Sequence, residues 1–131
     1  MRAAAACLAL AACTSGAGRP AIYAPPPGIN EVLTGPIESA PGHSLVMGDL
    51  ALPAGAAIPR HYHYGEEFIY VLGGSAVVSR AGQADVTLHP GDGLWIAPGV
   101  VHWGRSGPDG FRGISTWVKA DDKPLREPVA E

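Results

Sequence analysis

The stretch GAAIPRHYHYGEEFIYVLGG, from Gly55 to Gly74, sets His61 and His63 two residues apart and follows them, across Tyr64-Gly65, with Glu66-Glu67 and an apolar run. In a β-strand successive side chains point to opposite faces, so His61 and His63 share one face while Tyr62 looks the other way. Two imidazoles on one face make half of a metal site. A carboxylate delivered by the next strand, beyond the turn, can close on the same ion. His102 follows thirty-five residues after Glu67 in a second strand-and-turn setting. The expectation is a metal site inside a β-barrel. Strand parity does not carry through a turn, so alternation alone leaves both Glu66 and Glu67 open as the carboxylate.

Outward from this stretch the chain reads as short apolar segments broken by turn residues. Val32-Leu33 is a candidate edge strand before Gly35-Pro36. Ser44 to Leu52 is apolar on both faces, which predicts packing on both sides. Phe68 to Leu72 is a strong strand, with Gly73-Gly74 read as a turn toward Ser75–Ser79. Ala81-Gly82-Gln83 is a hairpin turn before Ala84–Leu88, and Leu94–Ala97, Val100–Trp103 and Gly113–Val118 complete the series. Turn signals recur roughly every eight to twelve residues, the rhythm of a sandwich or barrel. With 131 residues, 18 Gly, 13 Pro and no sustained helical period beyond the N-terminus, one all-β domain is expected.

Taken together, two halves of a pattern emerge. The first is Gly55, five residues, His61-x-His63, three residues, Glu67, six residues, Gly74; the second is Gly91-Asp92, then Pro98-Gly99, two residues, His102. Both resemble the paired motifs of the cupin superfamily, over residues 55–106, and the strand pattern extends the likeness to about 31–119. The resemblance implies a small double-stranded β-helix, or jelly-roll, and places the family's metal ligands on His61, His63, Glu67 and His102. The family spacing, with six residues to Gly74, selects Glu67 over Glu66. Three positions depart from the pattern: Ala97 stands where a proline is usual, Ser106 where an asparagine is frequent, and Gly73 where an acidic residue is common. These read as changes in loop rigidity that leave the ligand set whole.

Three imidazoles and one carboxylate suit one divalent ion of Fe, Mn, Ni, Cu or Zn and suit Ca or Mg poorly. An octahedral ion on four protein donors keeps two positions for water, dioxygen or a chelating substrate, and the net +1 charge favours anionic or enolisable oxygen ligands. Glu66 and Tyr70 are the candidate acid/base groups beside it. Trp95, Trp103, Tyr62, Tyr70 and Phe68 are candidates for pocket lining, with core packing as the alternative. His43 and His89, next to turn residues, are read as exposed loop histidines.

The N-terminus carries a different message. Arg2 precedes an apolar run from Ala3 to Ala12, too short to span a bilayer but fitting the core of a secretory signal. Leu10-Ala11-Ala12-Cys13 resembles a bacterial lipobox, which implies a signal peptide over 1–12, a lipid on Cys13 and a chain anchored in the cell envelope facing the periplasm. An alanine-rich extension from a misassigned start, on a cytoplasmic protein, is the alternative. Residues 13–30 are expected to be a flexible tether, 31–120 the barrel, and 121–131 a charged tail lying in solvent, along the domain or along a second subunit.

A formal charge of −3 with no basic cluster argues against nucleic acid as a partner. The expected partners are a small-molecule ligand, a membrane through the lipid alone, and a second copy in a homodimer. Two functions fit: a metal-dependent enzyme on a small organic substrate, dioxygenase-like or an isomerase or lyase, and a non-catalytic cupin that binds or senses a small ligand.

Overall fold

The structure is a computed structural model that describes residues 23–130; the signal, Cys13 and most of the tether fall outside those residues. Eight strands follow one another: β1 Gly28–Pro36, β2 His43–Leu52, β3 Ala57–Tyr62, β4 Glu67–Arg80, β5 Val86–Leu88, β6 Gly93–Ile96, β7 His102–Ala120 and β8 Glu127–Pro128. There is no helix among the described residues, and every strand pairing is antiparallel. β1 opens at Gly28, inside the span expected as tether.

β4 and β7 are long enough to belong to both layers of the barrel. The first part of β4, Glu67 to Val71, pairs with Trp117 to Gly113 of β7, and that half of β7 also pairs with β2, which pairs with β1. The second part of β4, Ala76 to Arg80, pairs with Ser106 to His102, beside β3 and β5. The two layers face each other around Val46, Leu50, Val71, Val78, Leu88, Ile96, Phe111 and Trp117, all buried. Each such side chain removed from water contributes about 1.5–3 kcal/mol before chain entropy is set against it.

Two expectations are corrected here. Gly73-Gly74 does not turn the chain back: β4 runs straight through it, with register shifts against β7 on either side. Gly74 has φ +64° and the place of its missing Cβ is filled by the Gly110 carbonyl, so the pair is a bulge that bends one strand from layer to layer. His102-Trp103, the end of the segment expected over Val100–Trp103, and Gly113–Val118, read as a separate strand, are parts of the continuous β7, while Val100 and Val101 precede it.

The last segment is also a built part of the fold. β8 pairs with β3, setting Pro128 opposite His61 and Glu127 opposite Tyr62, and the Val129 amide donates to the Arg60 carbonyl at 3.0 Å. The tail from Leu125 to Val129 thus lies along the domain, one of the places expected for it, while Asp121 to Pro124 are exposed.

Candidate metal centre

His61 and His63 leave the end of β3, Glu67 opens β4 and His102 opens β7, so three chain segments meet at one end of the barrel. All four side chains are buried, and one donor atom from each lies within 4.8 Å of all the others. Glu67 Oε2 is 3.2 Å from His63 Nε2 and 3.1 Å from His102 Nε2. The His61 and His102 rings are 4.2 Å apart between centroids.

The other ring nitrogens fix the orientation. His61 Nδ1 lies 2.7 Å from the Pro59 carbonyl, His102 Nδ1 2.9 Å from the Val100 carbonyl, and His63 Nδ1 2.6 Å from the Leu125 carbonyl. A carbonyl only accepts, so each Nδ1 carries a proton, and in its neutral form each ring has its Nε2 lone pair turned inward. His63 Nε2 and Glu67 Oε2 are buried without a hydrogen-bond partner. Lone pairs facing a carboxylate across a buried gap repel one another, and a cation among them removes that cost. The residues fit a divalent transition-metal ion.

Glu67 is tied down as well. Ser115, fully buried on β7, donates from Oγ to Glu67 Oε1 at 2.5 Å. Burial alone would push the Glu67 carboxyl up, but the His102 and His63 rings, which donate to it when Nε2 carries a proton, and the Ser115 hydroxyl outweigh it and hold the group below the usual carboxylate range. Nothing in the sequence singles out Ser115, because a small polar residue inside a long strand has no signature until the register of β4 on β7 is known.

His61 is shifted by burial above all, and by the neighbouring His102 and His63 rings, which together lower its pKa from 6.5 to about 4 despite the Pro59 hydrogen bond. The unfolded chain therefore takes up a proton near pH 6.5 that the folded chain refuses. The stability this neutral ring provides is complete above pH 6.5 and is lost as pH falls toward 4, and the depressed Glu67 carboxyl extends the loss to lower pH. Urea midpoints of metal-free protein should fall steadily between pH 7 and 4.5; a flat profile would contradict this placement of His61.

Other candidates separate from the site. Tyr70 and Phe68 stand on the outer face of β4, 52% and 48% exposed, and Trp95 on the outer face of β6, so none of the three lines the cluster. Tyr70 is thereby removed as an acid/base group for it. Glu66 lies outside the four-donor group; its carbonyl accepts from the Val118 amide at 2.9 Å. Trp103 lies under the Arg60 guanidinium, 4.0 Å from the ring centre, and lines a groove away from the cluster. Tyr62 bonds Tyr64 at its hydroxyl, in an exposed pair. His89 is exposed as expected, whereas His43 is half-buried at the start of β2. Trp117, which the motif reading passes over, packs 5.9 Å from His63 and lines a cavity of about 450 Å³ together with His63, Val46, Leu125 and Arg126.

The departures in the second motif prove structural. Ser106 Oγ donates to the Pro53 carbonyl at 2.5 Å and accepts from the Ala56 amide at 2.8 Å, pinning the turn before β3. The Gly99 amide donates to the His63 carbonyl at 2.8 Å, so the Pro98-Gly99 bend joins the two halves of the site.

Residues 48–110 match the protein family described as Cupin domain. That stretch carries the cupin pattern. The eight strands are accordingly a jelly-roll cupin barrel, and similar solved structures bear this out. The cupin-like protein of Thermotoga maritima aligns with a TM-score of 0.61 and 26% identity over 66% of this chain and 65% of that one. A DMSP lyase from Ruegeria pomeroyi aligns with a TM-score of 0.59 and 28% identity over 66% of this chain and 45% of that one. Over 74 residues the chain is 34% identical to (R)-mandelonitrile lyase from Granulicella tundricola, a match covering 56% of each protein. The chain thus spans only about half the length of either lyase.

Proposed function

We propose that this protein is a metal-dependent enzyme acting on a small organic molecule, with His61, His63, Glu67 and His102 as the ligands of one transition-metal ion and lyase chemistry ahead of oxygenation or isomerisation. The observation that carries the reading is the set of three Nδ1–H groups held by carbonyls, which leaves three Nε2 lone pairs and a Glu67 oxygen facing one point. The likeness to two proteins named as lyases supports the order of the chemistries. A bound divalent ion supplies Lewis-acid polarisation of a substrate oxygen. The chain's own part is to hold the ligands rigid, with Ser115 keeping Glu67 ionised and oriented, and to offer the largely apolar cavity beside His63 for the body of the substrate. The test is turnover by metal-quantified protein loaded in turn with Mn, Fe, Ni, Cu and Zn. Mandelonitrile cleavage probes lyase chemistry and oxygen uptake with an enolic or phenolic chelator probes oxygenation. Tight binding of such compounds without turnover under any metal would favour the sensing alternative.

A homodimer belongs to the same reading. Leu33, Met47, Thr116, Phe68 and Trp95 form one row across five neighbouring strands on the outer face, and Leu33, Phe68 and Trp95 are each about half exposed or more. The expectation that β2 packs on both sides is met in the single chain only by its inner face. A contiguous apolar sheet face of this kind fits a second copy. Light scattering on the chain lacking residues 1–27 should give twice the monomer mass, and Phe68→Asp should give the monomer; a monomeric unaltered chain at micromolar concentration would count against it.

The envelope location is proposed on Leu10-Ala11-Ala12-Cys13. Cells fed a fatty-acid analogue should label the protein at Cys13, and Cys13→Ser should abolish both label and membrane fractionation. Persistence of either would overturn the anchor.

A further inference from the structure

Two of the three site histidines are oriented locally. His61 and His102 each donate Nδ1–H to the carbonyl two residues before them in the chain. His63 has no such local partner: its acceptor, Leu125, lies 62 residues away in sequence, beyond the stretch matched by the cupin family. We infer that the C-terminal segment Pro124–Val129 is a working part of the metal centre, with the Leu125 carbonyl as the positioning group for His63, so that docking of this strap on β3 sets the affinity of the site for its ion. The inference rests on the metal reading given above.

The strap is held at several points. β8 pairs with the end of β3, opposite His61 and Tyr62, and the Val129 amide closes on the Arg60 carbonyl. Upstream of it Leu125 packs on the hydrophobic core, and Tyr64 donates to Glu127 at 3.2 Å. Pro124, Leu125 and Arg126 also line the cavity beside His63, with Trp117 and Val46 across from them. One segment therefore fixes a ligand's tautomer and walls the adjoining cavity.

The consequence follows from imidazole chemistry. Without the carbonyl, His63 loses the bond that keeps its proton on Nδ1 and its ring plane aimed at Glu67. A buried ring free to flip or to change tautomer presents an N–H to the ion in part of the population. His61 and His102 keep their own carbonyls and should not respond. The effect is thus specific to one ring of three, which general loosening of the barrel would not produce.

The test compares zinc-loaded full-length protein with a chain ending at Lys123, using folded state by circular dichroism, zinc affinity by chelator competition, and imidazole ¹H–¹⁵N correlation spectra. The full-length protein should show three hydrogen-bonded Nδ1–H signals. The shortened chain should lose only that of His63 and bind zinc about 10- to 100-fold more weakly, the usual loss when a ligand's outer partner is removed. A synthetic peptide covering residues 121–131 should restore both. Leu125→Ala, which keeps the carbonyl, should lower the melting temperature but retain three signals and near-original affinity. If the shortened chain does not fold, full-length Val129→Pro, which removes the donor to Arg60, decides in its place. A folded strap-deficient chain that keeps the His63 signal and full zinc affinity would overturn the role of the strap. An unaltered protein that binds none of zinc, manganese and iron would overturn the metal reading itself.

Discussion

His61→Ala, His63→Ala, Glu67→Gln and His102→Ala should each empty the purified protein of transition metal, while Glu66→Gln should leave its metal content intact. The size of the effect follows from the donor count. Small structural metal sites bind with about 10–16 kcal/mol, so losing one of four donors removes on the order of 3 kcal/mol, about a hundredfold in affinity. Glu67→Gln is the sharpest of the four because it preserves volume and one oxygen, changing little but charge, and the ion then faces four neutral donors. Glu66 differs from Glu67 by one position, yet only Glu67 is in the four-donor group and bonded to Ser115. Elemental analysis after chelator challenge checks the series. Equal metal in the unaltered protein and in His61→Ala or His102→Ala would remove the site.

The readable part of this site was the part written in side chains at fixed intervals. His61 and His63 fall on one face because strand alternation is rigid, and the Pro98-Gly99 bend before His102 is a local signal of where β7 begins. What stayed hidden depends on backbone groups and on register. The Leu125 carbonyl has no residue type to betray it, and the segment that carries it is charged and proline-containing, a composition that reads as solvated. Ser115 and Trp117 acquire meaning only when β7 is laid against β4 so that Ser115 reaches Glu67 and Trp117 stands opposite it. The Gly73-Gly74 pair announces a departure from regular strand, but a hairpin and a bulge use glycine for the same positive φ. Exposed Phe68, Tyr70 and Trp95 likewise alternate as pocket-lining residues would, and period two cannot tell an inner face from an outer one awaiting a partner.

Gly65→Ala should destabilise the protein by about 3 kcal/mol or more and disable metal binding, although the substitution adds one methyl group and touches no ligand. Gly65 is buried between His63 and Glu67, and the position of a Cβ there coincides with the Val118 carbonyl of β7. The neighbouring Glu66 carbonyl accepts from the Val118 amide at 2.9 Å, so the loop lies flat on β7 at this point and cannot lift without breaking that bond. Backbone meets backbone, which leaves no flexible side chain to move aside and makes the cost larger than ordinary overpacking. Lifting the loop would also swing His63 and Glu67 apart, since they flank it and their facing atoms stand 3.2 Å from each other. Gly82→Ala is the control: Gly82 has a positive φ, of +75°, which Gly65 lacks, but nothing stands near its missing Cβ. It should cost only the strain of its backbone, about 1–2 kcal/mol, and leave the metal content unchanged. Denaturant unfolding and metal content measured on both variants separate the two effects. A Gly65→Ala protein as stable as Gly82→Ala, with its metal in place, would show that the loop between His63 and Glu67 has freedom that its contact with Val118 denies it.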